Sequence, residues 1–149
     1  MIEFELEVAP EFLQAVLPFV AKMVSERSGK YGGERFPPPE TGDHELDKAW
    51  VEGLADEARN DRVSLAVFLK NPALACGVVE VAEKEVEDVL RGLTELRLLL
   101  RESELAELSD DLLEEGLRNV ERLRPRSRLA YLAYLLLAEI QEGLIGKIS

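Results

Sequence analysis

The residue most out of keeping with its surroundings is Arg97. Read as a helix over residues 83–101, its segment carries an apolar stripe of Val86, Val89, Leu90, Leu93, Leu96 and Leu100. Arg97 projects at about 40° from the centre of that stripe, at 100° per residue. In the final helix, read over 127–148, Gln141 stands in the same way inside a stripe of Ala130, Ala133, Tyr134, Leu137, Ile140, Leu144 and Ile148. A guanidinium removed from water needs hydrogen-bond acceptors, and above all an acid. Glu57, in the stripe of Leu46, Trp50 and Leu54, and Glu121, beside Leu113, Leu117 and Val120, are the acids placed to supply one. The expectation is a structural polar network, inside the core or in a shallow cleft, formed by Arg97, Gln141 and either Glu57 or Glu121. The alternative is a small-ligand-binding protein or enzyme that grips a carboxylate or phosphate with Arg97 and one of those acids.

Other reactive types are sparse. His44 sits at the start of a helix among Asp43, Glu45, Asp47 and Lys48; Asp47 or Lys48 shares its face and a two-ligand metal site is conceivable, but no further ligand lies at helical spacing, and it reads as a solvated surface side chain. Cys76 stands before a glycine in an apolar stretch with no basic neighbour to stabilise a thiolate, and reads as a small packed side chain. Ser28-Gly29-Lys30 hints at a phosphate loop, but Val24 occupies the place of the upstream glycine. One Cys and one His cannot make a structural zinc site or a disulfide framework. No cofactor or metal is expected.

Arg118, Arg122, Arg124, Arg126 and Arg128 form a basic cluster in an acidic chain. Arg122 and Arg124 suit the negative end of a helix that closes near Arg124, but Arg126 and Arg128 open the next one, where the dipole opposes them. Neighbouring glutamates, an acidic protein partner or a nucleic acid are the three possible reasons. The second functional alternative is therefore a DNA-binding regulator acting through Arg118–Arg128.

Which elements position these side chains? The opening residues alternate, Ile2, Phe4, Leu6 and Val8 on one face and Glu3, Glu5 and Glu7 on the other, as in a half-buried strand. A helix follows from Pro10 to about Arg27, with Pro18 expected to kink it. Residues 28–43, with four glycines and three consecutive prolines, read as a flexible loop. Asp43 is a good cap for a helix to about Arg59. Residues 61–70 fit either a strand or a helical continuation; helix is the expectation, ended by Asn71-Pro72. Gly77 to Ala82 reads as a second strand, and another helix is expected from Ser109 to about Arg124. Glu7-Val8-Ala9 recurs as Glu80-Val81-Ala82, and the apolar positions after each run in step, so two strand–helix units are expected to pair their strands. The fold class is mostly α (α+β): a single domain over 1–149, five or six helices with a two-stranded sheet.

The 149 residues include 30 acids against 18 Lys+Arg, a net charge of −12, which argues against nucleic acid as the main partner. Such a chain can bury roughly two-thirds of its unfolded surface. The N-terminus is acidic where a signal peptide is basic, and the longest uncharged runs are ten residues, so a cytoplasmic protein without a membrane span is expected. Three Asn and two Gln beside abundant Glu, Arg and Leu suggest a thermophile. Leu129 to Ala138 is apolar all round and must be enclosed by the bundle or by a second subunit, so a homodimer is expected.

Around Arg97 and Gln141 the chain resembles an uncharacterised, mainly actinobacterial family often encoded beside the Clp protease adaptor. That family carries Ala-Leu-Asn-Asp-Leu-Arg-Leu-x-Leu, against Gly92-Leu93-Thr94-Glu95-Leu96-Arg97-Leu98-Leu99-Leu100 here, and Tyr-x-Trp-Leu-x-Trp-Leu-Gln-Glu-x-Leu, against Tyr134 to Leu144. Arg97, Tyr134, Gln141 and Glu142 carry over; the two tryptophans are Leu136 and Glu139, and Thr94 replaces Asn. The resemblance implies a shared fold, lends no chemistry, and hints at a link to proteolysis or regulation. The reading that results is a non-catalytic protein-interaction or regulatory module.

Overall fold

The structure, a computed structural model, describes residues 1–27, 41–106, 108 and 123–148. Strand β1 (Ile2–Glu5) leads into α1 (Pro10–Arg27). Helix α2 (His44–Lys70) and the short α3 (Pro72–Ala75) precede β2 (Val78–Val81). A 3-10 turn over Glu83–Glu85 opens α4 (Val86–Glu102), and α5 (Pro125–Ile148) closes the chain. The expected loop over 28–43 lies outside the described residues as far as residue 40, and the expected helix from Ser109 as far as residue 122.

The two strands pair antiparallel, Ile2 opposite Val81 and Phe4 opposite Val79. The alternation of the first residues is realised: Leu6 is buried and Ile2, Phe4 and Val8 are half-buried, while Glu3, Glu5 and Glu7 face solvent. The ladder is extended by the Leu6 amide, which donates to the Gly77 carbonyl at 2.7 Å. Gly77, at φ +84°, ends α3 by turning left-handed, a conformation that suits glycine. The start of α3 is marked by Asn71, whose side chain accepts from the Ala73 amide at 3.0 Å, and by Pro72 in its first turn.

Among the described residues, four long helices make the bundle. α4 packs against α2 and α5, and α1 packs against α5 and α2, so α1 and α4 occupy opposite corners. α1 runs unbroken through Pro18, and its Leu13, Val16, Val20 and Val24 are buried. The echo between the strand–helix units holds in the helices: Leu13 and Val86, Val16 and Val89, and Val20 and Leu93 are buried pair by pair. It fails in the strands. The echo aligns Val78–Val81 with Glu5–Val8, whereas β1 is Ile2–Glu5.

Residues 61–70 belong to one continuous α2, because no helix breaker stands between Arg59 and Asn71. Leu65 and Phe68 turn inward, and Val63 and Val67 outward. Asp43 caps this helix, its carboxylate accepting from the Glu45 and Leu46 amides at 3.0 and 3.2 Å. Leu46 and Trp50, expected inside, are 55% and 46% exposed. The buried residues of α2 begin only at Ala55, so its first part overhangs the bundle.

α5 begins at Pro125, where a missing N–H costs nothing. It is long and apolar enough by length and composition to cross a membrane, a feature the ten-residue uncharged runs do not reveal. Within this fold it is a core helix, with Ala130, Tyr131, Ala133, Leu136, Leu137, Ile140 and Leu144 buried. Most of the all-apolar Leu129–Ala138 stretch is thus enclosed by the bundle itself.

Candidate functional site

α4 carries a polar cluster on each flank. Toward α5, Arg97 Nη1 donates to Gln141 Oε1 at 2.7 Å, and Nη2 donates to the Tyr134 hydroxyl at 3.2 Å. The guanidinium carbon also lies 4.8 Å from the centroid of the Tyr134 ring, within cation–π range. Gln141 Nε2 donates to Thr94 Oγ1 and to the Leu90 carbonyl, so both ends of the carboxamide are used. The expected pair therefore exists, half-buried at the α4–α5 seam, in the shallower of the two expected settings.

The acid expected beside Arg97 is not among these partners; Tyr134 takes that place. Glu57 turns to Arg91 instead, 3.7 Å from its Nη2. Glu121 lies outside the described residues. Arg97 Nε is buried with no hydrogen-bond partner among the described residues. Three of the four residues that carry the resemblance, Arg97, Tyr134 and Gln141, meet at this one contact, while Glu142 faces solvent.

Toward α2 lies a second cluster that the sequence reading misses. Asp61 is buried and receives Arg91 fork to fork, Nε to Oδ2 at 3.1 Å and Nη2 to Oδ1 at 3.1 Å. Asp88 accepts from the same Nη2 at 2.7 Å, and the Ser64 hydroxyl donates to its other oxygen at 3.4 Å. The Arg91 guanidinium is held above its ordinary pKa by the hydrogen bond to Asp61, opposed by desolvation and aided by the charges of Asp61, Glu57 and Asp88. The signal available for this contact was Gly92. A Cβ there would stand 3.1 Å from Leu65 Cβ and 3.3 Å from the Asp61 carbonyl, so α2 and α4 approach closely at that turn.

The basic cluster is partly described. Arg126 Nε donates to Glu104 Oε1 at 2.6 Å, and that hydrogen bond raises the arginine pKa. Arg128 Nη2 donates to the Leu123 carbonyl at 3.3 Å. An acid within the chain thus offsets the unfavourable dipole at Arg126. Arg124 bonds through its carbonyl to the Arg128 amide. Arg118 and Arg122 lie outside the described residues.

His44 is exposed at the head of α2, and no group of three or more metal-ligating side chains occurs among the described residues. Cys76 is exposed and not packed as expected, because it sits in the turn that Gly77 completes.

The overhang of α2 presents a different kind of surface. Leu46 and Trp50 lie along the side of the helix that Phe68 and Leu65 bury further on, at about 100° per residue. Ala49 and Gly53 border the same stripe. A Cβ on Gly53 would meet nothing within 4 Å among the described residues, so nothing described near it demands a glycine there. Lys48 and Glu52 pair with each other on the far side of the helix. No protein-family model, curated protein or solved structure matches the chain.

Proposed function

We propose that this chain is a non-catalytic protein-interaction module that self-associates through the overhang of α2. The observation that carries the reading is Trp50, a large aromatic left 46% exposed on the continuation of a core-facing stripe. Aromatic side chains of this kind dominate the energetics of protein interfaces, and an apolar stripe rimmed by charges marks a docking surface. A helix end of this length is marginal in water by itself and is stabilised by whatever covers it. Ala49 and Gly53 let a second helix approach closely beside Leu46 and Trp50. The conspicuous polar side chains of α4 are engaged within the fold, Arg97 by Gln141 and Tyr134 and Arg91 by Asp61 and Asp88, which favours scaffolding over catalysis.

Light scattering at micromolar concentration tests the proposal. The unaltered chain should have the mass of a dimer, and Trp50→Glu and Gly53→Leu should each give a monomer with an unchanged helical circular-dichroism spectrum. A monomeric unaltered chain, or a Trp50→Glu dimer, overturns it.

A further inference from the structure

We infer that a second site, at the opposite end of α2 from the overhang, binds a free apolar amino acid: an ammonium and a carboxylate on one apolar body. It is a half-open cavity of about 420 Å³ where the C-terminal end of α2 meets β2 and the start of α4, within the size range of small-molecule sites. Phe68, Val81 and Val89, all buried, give it an apolar floor, and the 62% exposed Val67 an apolar rim.

The charged side chains of the lining carry both signs. Lys70 closes α2, Glu80 stands on β2, and the half-buried Glu85 ends the 3-10 turn before α4. Among the described residues, no ion pair joins Lys70 to either acid or either acid to another cation. Opposite charges held apart on one cavity match a ligand that carries both itself, its ammonium toward the acids and its carboxylate toward the lysine.

Glu80 is the anchor. It is half-buried and stands opposite Glu3 in the strand register, an arrangement of like charges that destabilises a sheet. Its one side-chain hydrogen bond among the described residues comes from Asn71, Nδ2 donating to Oε2 at 3.4 Å, a neutral donor that leaves the charge uncompensated. Asn71 is itself held, its Oδ1 accepting from the Ala73 amide at 3.0 Å, so the carboxylate is oriented before a ligand arrives. An ammonium here offsets the Glu3–Glu80 repulsion and gains a charge-assisted hydrogen bond beside apolar surface, where water screens it less.

With a net charge of −12, the chain attracts any organic cation and repels any carboxylate. That general field ranks a simple amine first, an amino acid second and a carboxylic acid last. Only a site that uses Lys70 as well as the acids places the amino acid first.

Isothermal titration of the full chain tests the site. L-phenylalanine and L-leucine are each compared with the analogue lacking the carboxylate and the analogue lacking the ammonium: phenethylamine and hydrocinnamate, isoamylamine and isocaproate. At least one of the two amino acids should bind about ten-fold or more tighter than both of its analogues, the worth of one charge-assisted hydrogen bond. Lys70→Met, at an exposed position, should abolish that advantage over the amine without weakening the amine itself. Glu80→Gln keeps an oxygen to accept from Asn71, so it preserves the fold, and should weaken amino acid and amine alike. Glu83→Gln, which removes an exposed acid outside the cavity lining, should change neither. No binding of either amino acid, an amine binding as tightly as its amino acid, Lys70→Met or Glu80→Gln without effect, or Glu83→Gln acting as strongly as Glu80→Gln overturns the inference. Lys70 and Glu80 lie outside the Leu46–Trp50 stripe, so the dimer mass measured on the same samples reports on self-association separately.

Discussion

Arg91 and Asp61 meet fork to fork across the seam between α4 and α2, two parallel hydrogen bonds of 3.1 Å joining the guanidinium to a buried carboxylate. Around them stand Asp88, Glu57 and Glu87, so one cation serves four acids. Arg91 thus holds together a patch that would otherwise repel itself at the closest approach of the two helices. Removing it leaves Asp61 charged and buried. Arg91→Met is expected to cost about 2 kcal/mol, below the range for fully buried pairs because Arg91 is partly exposed. In urea unfolding, Asp61→Leu added to Arg91→Met should recover part of that loss, since the stranded charge is gone.

The same contact sets a pH signature. The folded-state pKa of Arg91 is raised, chiefly by Asp61, so its stabilisation is fully present below the ordinary arginine value and is lost only as pH climbs through the higher folded value. Across neutral and moderately alkaline pH its contribution is therefore flat. A lysine at this position is raised by the same acids above its ordinary value of about 10.4, so its contribution begins to fall as pH passes that value. The stability gap between the unaltered chain and Arg91→Lys, followed by denaturant titration, should be constant up to about pH 9 and widen above about pH 10.

Arg97 and Gln141 should behave as one unit. A double-mutant cycle with Arg97→Met and Gln141→Leu is expected to give a coupling of about 1 kcal/mol, because each single change strands the other's hydrogen-bonding group. Tyr134→Phe should cost less than either, since the ring stays beneath the guanidinium and only the hydroxyl is lost. Additive single changes would show that the two groups merely sit near each other.

Gly77 offers a test of backbone geometry alone. A Cβ placed there would meet Leu13 and the Leu6 carbonyl at 3.8 Å, ordinary contact distance, so Gly77→Ala creates no clash. Its φ of +84° nonetheless penalises any side chain. An expected loss of about 1–2 kcal/mol in thermal unfolding would come from the left-handed conformation itself.

The periodic parts of the fold were legible. The stripe around Leu93 and the alternation of Ile2, Phe4 and Leu6 follow from patterns that any neighbour must respect. The Arg97–Gln141 contact was also legible, because two polar side chains interrupting two apolar stripes have few other places to go. That Asp61, and not Glu57, is the covered acid of α2 was not. They lie one turn apart on the same side of α2, and only the crossing point of α4, fixed by Gly92, decides that Asp61 is covered. Trp50 escaped for a related reason: its stripe is continuous with Leu65 and Phe68, but the first buried residue of α2 is Ala55. A periodicity tells which side of a helix is apolar and says nothing about where its neighbours stop.

The pairing of Ile2 with Val81 also bears on the order in which the molecule assembles. The first strand made waits for the last residue of β2 before its ladder is complete, and closing so long a stretch of chain carries an entropic penalty that local helix contacts do not. During synthesis the N-terminal segment emerges well ahead of its mate. Like-charge repulsion among Glu3, Glu5 and Glu7, which all face solvent in the folded chain, disfavours the pairing of two such strands over that interval.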